Sequence, residues 1–372
     1  MEQREIMRII VDVMGGDNAP EETVRGVFMA AKEYNASYIM VGNRYDIERI
    51  AKEENFDIRR MDIVHTDTVI AMEDDPLCVV RGKQDSSMAI GLKMLAEGYG
   101  DAFVSTGNTG ALFTGSTLIV RKVKGVLRAG IGAILPLQVP VLLLDTGANL
   151  VVTEENLEQF AVMGSAFMRK MYHVNNPRVG LLNNGAEEIK GTELQQAAYK
   201  RLSACKEINF VGNVEGSTLP FDSCDVLVAD GFTGNICLKS VEGIAKMLLK
   251  RLKEVFYSTP ATKLAALSMK KQLDEMKHDY DAKEHGGAPI LGISKPVIKA
   301  HGSSDAVAFK NAIRQAIDYA QSDVIYDIAV AAKEYSERKK LLKEQAAKAA
   351  AEAEAEAAKA AAAEQAQTNV RG

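Results

Sequence analysis

A turn that contains two glycines, a hydroxyl and an amide follows an acidic residue in ADGFTGNICLK, residues 229–239. Glycine lets backbone N–H groups approach a ligand closely, and the side-chain amide of Asn235 can donate a hydrogen bond to an oxyanion. Gly and Asn are also ordinary residues of a tight strand-to-helix connection, so one such turn does not indicate a site. Its meaning depends on similar loops elsewhere in the chain.

Four other loops combine glycine with a small hydroxyl or an amide: VMGGDNAP (13–20), STGNTG (105–110), LDTGAN (144–149) and HGSSD (301–305). Five loops of this composition are more than connection geometry requires, and they favour a site of backbone donors for a compact anion such as phosphate. The residues that we expect to contact phosphate in these loops are Gly15, Gly16, Asp17, Asn18, Gly107, Asn108, Thr109, Asn149, Gly234, His301, Ser303 and Ser304.

Two further segments place cations near glycine. In EDDPLCVVRGKQDSSM (73–88), Arg81 and Lys83 precede Ser86 and Ser87 at a predicted helix start, which suits an anion. A basic surface turn with a serine cap fits that segment equally well. In LLNNGAEEIKG (181–191), Lys190 follows a predicted strand, and it is the best candidate for an active-site cation.

Strand-like and helical patterns alternate along most of the chain. The strand-like runs are 8–13, 38–41, 62–65, 102–104, 132–135, 141–144, 178–182, 209–211 and 225–228, and the helical runs are 21–33, 45–54, 86–97, 154–171, 192–204 and 236–255. This alternation predicts an α/β fold with a largely parallel sheet. Ligands of such sheets lie outside the carboxyl ends of the strands, where these loops fall, so we expect the loops to share one edge.

Composition excludes several classes of function. The 372 residues are 47% hydrophobic, carry a net charge of −5 and include four cysteines without C-x-x-C spacing. These values predict a globular protein of a reducing compartment, with no bulk attraction for nucleic acid. The N-terminus lacks the pattern of a signal peptide, and neither G-x-G-x-x-G nor G-x-x-x-x-G-K is present. We therefore expect a cytoplasmic protein without a nucleotide motif, a metal site or a cofactor.

Eight motifs in order closely resemble the bacterial phosphate acyltransferase family over roughly residues 7–335: VDVMGGDNAP, STGNTGAL, LDTGAN, AEEIKG, NFVGNVEG, DGFTGNICLKSVEG, GGAPILG and IKAHGSSDA. The resemblance implies transfer of a long-chain fatty acyl group from acyl carrier protein to inorganic phosphate. A membrane glycerol-3-phosphate acyltransferase would then use the acyl phosphate in phospholipid synthesis. It also implies a three-layer α/β/α fold like that of isocitrate and isopropylmalate dehydrogenases, and a homodimer at the inner membrane surface. Thr106 stands where the family usually has Ala.

By resemblance, Lys190 and Asn235 occupy the catalytic positions of the family. Phosphate is itself an anionic nucleophile, so the reaction needs no Ser/His/Asp triad. We expect Lys190 to offset charge on phosphate or the departing thiolate, and Asn235 to donate to the oxyanion. The sequence does not distinguish which of the two residues takes which role.

We expect a catalytic region at 1–340 with an amphipathic helical hairpin at 246–280, followed by an Ala/Glu/Lys-rich tail at 341–372. The hairpin pattern alone favours a core or dimer helix pair, whereas the resemblance favours contact with a membrane or with the carrier protein. Its docking candidates are Arg251, Lys263, Leu264, Leu267 and Met269. The basic stretch 121–128 competes for carrier docking, and the tail is either a solvated or disordered segment or an oligomer-linking helix.

Three other functions remain open from the sequence. Acyl transfer to phosphate from coenzyme A would use the same fold and loops. A decarboxylating dehydrogenase is disfavoured, because neither a dinucleotide motif nor an Asp cluster for a divalent metal is present. A membrane scaffold without activity would bind lipid but release no thiol.

Overall fold

The computed structural model describes residues 6–273, 276, 286–341 and 344. An eleven-stranded sheet of order β3-β2-β1-β4-β11-β10-β5-β6-β9-β7-β8 forms its centre. The strands are β1 (Met7–Asp12), β2 (Ala36–Gly42), β3 (Asp62–His65), β4 (Ala102–Ser105), β5 (Gly130–Leu135), β6 (Val141–Leu144), β7 (Arg178–Asn183), β8 (Asn209–Glu215), β9 (Val226–Val228), β10 (Ala288–Leu291) and β11 (Val297–Lys299).

Helices cover the sheet. They are α1 (Glu21–Glu33), α2 (Arg44–Glu53), α3 (Ser87–Ala96), α4 (Thr109–Gly115), α5 (Glu154–Met171), α6 (Glu193–Ala204), α7 (Gly231–Phe256), α8 (Pro260–Ser268) and α9 (Ala306–Gln321). The described residues also contain a 3₁₀ helix (Pro76–Val79), a π-helical turn (Ser116–Arg121) and helical segments at 270–273 and 324–341. The predicted α/β fold with a largely parallel sheet is confirmed.

The direction of the strands reverses once across the sheet. Strands β1, β4 and β11 are mutually parallel, and so are β6, β9 and β7. Three consecutive antiparallel pairings, β11–β10, β10–β5 and β5–β6, separate the two groups. An odd number of antiparallel pairings makes the groups run in opposite directions. Their carboxyl ends therefore do not share one edge, contrary to the expectation from the sequence.

Alternating side chains of β1 pack on opposite faces of the sheet. Ile9 and Val11 belong to a core that includes residues of α1 and α9, whereas Ile10 belongs to a second core that includes residues of α3 and α4. Each fully buried aliphatic side chain contributes about 1.5–3 kcal/mol. Because side chains alternate in a strand, Asp12 lies on the same face as Ile10 and is the last residue of that series.

The hairpin of α7 and α8 extends from the body of the protein. Gly231 and Gly234 are the buried residues of α7, and no residue of α8 is buried. The break between the helices lies where the sequence predicted it, with Thr259 as the N-cap and Pro260 as the first residue of α8. No described helix is long and apolar enough to cross a bilayer. The predicted hairpin residues 274, 275 and 277–280, and all of the predicted tail except 341 and 344, lie outside the described residues.

Candidate functional site

The loops after β1, β4 and β11 form a first loop cluster (residues 13–18, 106–109 and 300–304). Gly15 lies directly against Gly107, since a Cβ atom at Gly15 would be 2.7 Å from the Gly107 Cα. The backbone N–H of Asp17 donates to the Gly302 carbonyl at 2.9 Å, and the Asn18 side chain donates to the Ser304 carbonyl at 3.2 Å. Residues more than 280 positions apart therefore form one surface.

The glycines of this cluster are required by close packing. Gly16 has φ +96°, and a Cβ atom there would be 2.6 Å from the Thr106 hydroxyl oxygen. That hydroxyl donates to the Gly15 carbonyl. A side chain at Gly15 or Gly16 would collide with its neighbours or adopt a strained backbone conformation, so only glycine fits at these two positions.

Three polar side chains lie in register beneath the first loop cluster. Asp12 pairs with Ser105, and Ser105 pairs with Lys299, in three adjacent parallel strands. All three side chains are buried, and the Ser105 hydroxyl donates to Asp12 at 2.7 Å. They follow Ile10, Phe103 and Val297 on the face of the second core. A polar row thus replaces the apolar series at the ends of the strands.

Asp12 organises the turn above it. Its carboxylate accepts hydrogen bonds from the backbone N–H groups of Met14 at 3.1 Å and Gly15 at 3.2 Å. The Ser87 hydroxyl, at the start of α3, also bonds to it. Burial raises the pKa of Asp12, and these hydrogen bonds oppose that shift because they favour the ionised form.

Lys299 provides the cation of the row. Its ammonium donates to the carbonyls of Thr106 at 3.1 Å and Ala300 at 2.5 Å. Burial lowers the pKa of Lys299 to about 8, while the charges of Asp12 and Asp17 act in the opposite direction. The lysine thus joins two loops of the first cluster from below.

The basic segment at 73–88 lies beside this cluster, but most of its polar side chains bond within the protein. The Lys83 ammonium contacts the Asp74 carboxylate at 2.5 Å, and Ser86 caps α3. Asn108 donates to three carbonyls at and just before the start of this segment, those of Ala71, Met72 and Asp74. Arg81 and Thr109 are exposed, and Ser87 bonds to Asp12. These contacts hold the segment over the start of α4.

In HGSSD, the His301 ring and Ser303 hydroxyl are 2.9 Å apart, and the Ser304 hydroxyl donates to the His301 carbonyl at 2.7 Å. The surrounding protein lowers the pKa of His301, first by desolvation and then through the charge of Lys239 on α7. Neutral imidazole is therefore favoured at neutral pH. The Lys239 ammonium itself pairs with Glu242 at 2.9 Å.

The loops after β6, β9 and β7 form a second loop cluster (residues 145–149, 229–235 and 184–191). Asp145 is its centre, because one carboxylate oxygen accepts from the N–H groups of Ile131, Gly147 and Ala148. The other oxygen accepts twice from Asn149, through its backbone N–H at 2.6 Å and its side chain at 2.9 Å. Burial raises the pKa of Asp145, as it does for Asp12. Each cluster is thus built around one buried aspartate at a strand end.

Asn235 lies on this second cluster. A Cβ atom at Gly147 would be 3.2 Å from the Asn235 side-chain nitrogen, and one at Gly234 would be 1.9 Å from the Asp145 carbonyl oxygen. The turn therefore packs closely against LDTGAN, while Asn235 itself is exposed as the fifth residue of α7. Within the described ranges its side-chain amide has no hydrogen-bond partner.

Lys190 follows β7, the neighbour of β9, so its loop and the Asn235 loop leave adjacent strand ends. The Lys190 side chain packs over Gly185 and is exposed. Its ammonium forms no ion pair with any residue that the structure describes. The topology thus brings the two residues predicted to be catalytic to the same end of the sheet, with both polar groups open to solvent.

The start of α7 connects the two clusters. Asn235 and Lys239 are four residues apart and therefore lie on the same face of the helix. The charge of Lys239 lowers the pKa of both Lys299 and His301, residues of the β11 strand end. The Lys239 end of this face therefore lies near the first cluster, and the Asn235 end lies on the second.

Four residues of this arrangement were not predicted as site residues: Asp12, Asp145, Lys239 and Lys299. Asp12 and Lys299 each interrupt an otherwise apolar strand in phase with its buried side chains, a pattern that could have identified them. Asp145 begins a loop that was recognised, but the number of its hydrogen bonds is a tertiary property. Lys239 resembles any solvated helix lysine in the sequence.

The docking candidates on the hairpin are exposed. Leu264, Leu267 and Met269 are 70%, 69% and 46% exposed. Arg251 pairs with Glu254 at 2.9 Å, and the Lys263 ammonium lies 5.9 Å from the Tyr257 ring centroid. Elsewhere, a cavity of about 450 Å³ lies between α6 and β8, but no predicted site residue lines it.

The chain is similar to one family model and to individual known proteins over most of its length. A family model described as "Fatty acid synthesis protein" matches residues 7–327. A phosphate acyltransferase of Thermoanaerobacterium thermosaccharolyticum is 44% identical over 87% of this chain and 96% of its own length. A phosphate acyltransferase of Clostridioides difficile is 41% identical over 90% and 98%, respectively.

Two solved structures share the fold. A phosphotransacetylase from Streptococcus pyogenes has a TM-score of 0.58 and 16% identity, covering 85% of this chain and 94% of its own. A 4-hydroxythreonine-4-phosphate dehydrogenase from Klebsiella pneumoniae has a TM-score of 0.52 and 12% identity, covering 85% and 100%.

Proposed function

This chain belongs to the phosphate acyltransferase family, which transfers acyl groups to phosphate, and we propose that its acyl donor is a long-chain acyl carrier protein. The product is a long-chain acyl phosphate. The observation that carries the proposal is the pairing of a glycine-lined loop cluster with an exposed amide on the helix that faces it. The loop cluster binds an anion, and the amide polarises a carbonyl.

Phosphate occupies the first loop cluster in this mechanism. Gly16 leaves its backbone partly exposed beside the buried Gly15 and Gly107, and the exposed His301 and Ser303 lie at the rim. One phosphate oxygen attacks the thioester carbonyl carbon, the tetrahedral intermediate collapses, and the C–S bond breaks to release the carrier thiol. Positioning is the main contribution of the protein, because phosphate is already nucleophilic.

Asn235 and Lys190 stabilise the charges that develop. The Asn235 amide donates to the oxyanion formed when the carbonyl becomes tetrahedral, and Lys190 offsets charge on phosphate or on the departing thiolate. The exposure of both polar groups supports these roles, since neither is engaged by another described residue. The second cluster fixes Asn235 through the close packing of Gly234 and Gly147.

Exposed apolar residues beside Asn235 support a long acyl chain. Leu150 and Val151 follow Asn149 directly and are 64% and 82% exposed, and Phe232 and Ile236 flank the catalytic turn at 60% and 53%. A chain laid on this surface would remove apolar area from water, at about 25 cal/mol per Å². A short acyl group would gain little from it.

Thiol release tests the reaction directly. Long-chain acyl carrier protein is incubated with the protein, with and without inorganic phosphate, and acyl phosphate is trapped with hydroxylamine. Phosphate-dependent release with a trapped acyl group supports the proposal. The same result only with acyl coenzyme A would assign the rival donor, and tight lipid binding without any release would indicate a scaffold.

Three associations extend the proposal. The apolar residues Ile244, Met247 and Leu248 of α7 are more than half exposed, which supports a homodimer through this helix. The apolar and basic residues of α8 support peripheral contact with the inner face of the cell membrane from the cytoplasm. The basic stretch at 121–128 and the hairpin are the candidate surfaces for the acidic carrier. At the membrane, a glycerol-3-phosphate acyltransferase would consume the acyl phosphate.

A further inference from the structure

We propose that Lys299 is a positioning residue of the phosphate subsite, in which its buried ammonium orients the backbone of the first loop cluster and supplies positive charge beneath the anion. This inference rests on the proposed function, because it assigns the nucleophile to that cluster. The residue was not among the predicted phosphate contacts, which lie in the loops above it.

The geometry explains how a buried side chain prepares a backbone site. The carbonyl of Ala300 and the N–H of His301 belong to one planar peptide unit and point in opposite directions. Because Lys299 binds the Ala300 carbonyl, the N–H of His301 is directed away from the lysine. That N–H has no hydrogen-bond partner among the residues in the described ranges. It is available to an anion on the outer side of the loop.

The Thr106 carbonyl is held in the same way. Lys299 binds it at 3.1 Å, while the N–H of Gly107 donates to Ser105 at 3.0 Å. Both sides of this peptide unit are therefore fixed, and Gly15 packs against the resulting turn. One ammonium group thus sets the separation between the β4 and β11 loops, the two walls of the proposed phosphate subsite.

Charges of both signs surround Lys299. Asp12 on β1 and Asp17 in the following loop interact with its charge, as do Lys239 on α7 and His301 in the next loop. Asp12 is already satisfied by hydrogen bonds from Ser105 and backbone N–H groups. Burying an ammonium costs several kcal/mol unless it is compensated, and a bound phosphate would supply further compensation.

If the role of Lys299 were purely structural, the expected effect of replacing it would be different. If Lys299 only joined the loops, its replacement would lower stability and would impair the use of both substrates alike. If it prepares the phosphate subsite, its replacement acts on phosphate selectively. The pKa of Lys299, lowered to about 8 by burial, adds a second distinction. Phosphate affinity should fall as pH rises through 8, where inorganic phosphate remains the dianion.

The test compares Lys299→Met with Lys310→Met, a matched control in which the lysine pairs with Glu33 on α1 at 2.7 Å, away from both clusters. For Lys299→Met we expect the KM for phosphate to rise at least about tenfold at pH 7, with the KM for the acyl donor unchanged. Wild type should lose about tenfold in phosphate affinity between pH 7 and 9.5, and Lys299→Met should not. An unchanged phosphate KM, or an equal rise in both KM values, would overturn the proposal.

A measurement on the wild type keeps the inference testable if Lys299→Met does not fold. The increase in Tm on adding inorganic phosphate, measured from pH 7 to 9.5, reports binding without turnover. A smaller increase above pH 8 supports the inference, and a constant increase contradicts it. This readout is independent of the reaction, so failure of thiol release would refute the proposed function without deciding the role of Lys299.

Discussion

At the scale of single residues, Asn235 and Lys190 carry the proposed chemistry without contributing to the core. We expect Asn235→Ala or Lys190→Ala to lower kcat by about two to three orders of magnitude, because each removes a donor that stabilises developing charge. The Tm should stay unchanged, since both side chains are exposed. Steady-state thiol release and thermal unfolding measure the two quantities. Lys200→Ala, an exposed lysine of α6, serves as the control, and near-normal turnover in either site variant would exclude its assigned role.

Asp145 illustrates a residue whose importance is structural. Its two oxygens accept five N–H donors, so Asp145→Asn would place an NH₂ group opposite at least two of them. Each buried donor left without an acceptor costs about 1–3 kcal/mol, and we expect a loss of at least about 2 kcal/mol in the free energy of unfolding. Urea unfolding measures it.

The exposed Asp318 of α9 supplies the matching control for Asp145, because Asp318→Asn should change the free energy of unfolding by no more than about 0.5 kcal/mol. Equal effects of the two substitutions would show that the five hydrogen bonds do not hold the loop.

At the scale of elements, the α7–α8 hairpin exposes apolar side chains that do not contribute to the core. We expect the double variant Leu264→Glu, Leu267→Glu to lose binding to vesicles of anionic phospholipid, because it removes apolar area and adds repulsive charge. Vesicle co-sedimentation checks this. The circular dichroism spectrum should not change, since no residue of α8 is buried.

Tyr326→Glu is the control for the hairpin experiment, because Tyr326 is 69% exposed and lies in the helical segment 324–341. Retained vesicle binding in the double variant, or equal loss in the control, would remove α8 from the proposed membrane contact.

At the scale of the whole molecule, the exposed apolar side chains of α7 bear on the oligomeric state. We expect wild type to sediment as a dimer at micromolar concentration and Met247→Glu, Leu248→Glu to sediment as a monomer, because the change would bury uncompensated charge in the interface. Sedimentation velocity separates the two states. Phe221→Glu, at a 79% exposed position, should remain dimeric. A monomeric wild type would refute the dimer proposal.

Much of the architecture follows from local patterns. Helices α1 and α5 and strands β3 and β6 have the predicted bounds, because caps, apolar spacing and turn residues mark their ends. The Thr259–Pro260 start of α8 is similarly local. In contrast, β10, β11 and α9 were not predicted as elements, although the motifs at 286–292 and 298–306 were recognised. The strands there are four and three residues long, too short for a clear period.

The sequence by itself determined the fold class, the family resemblance and the set of glycine-rich loops, because each depends on residues that are near neighbours in the chain. Only the tertiary structure decided how the loops are grouped. Three antiparallel pairings divide them between two oppositely directed sets of strands, and strand pairing is a long-range property. The same pairings place Asp12, Ser105 and Lys299 in one buried row. No local pattern specifies that juxtaposition, since it arises from the register of three strands that are distant in sequence.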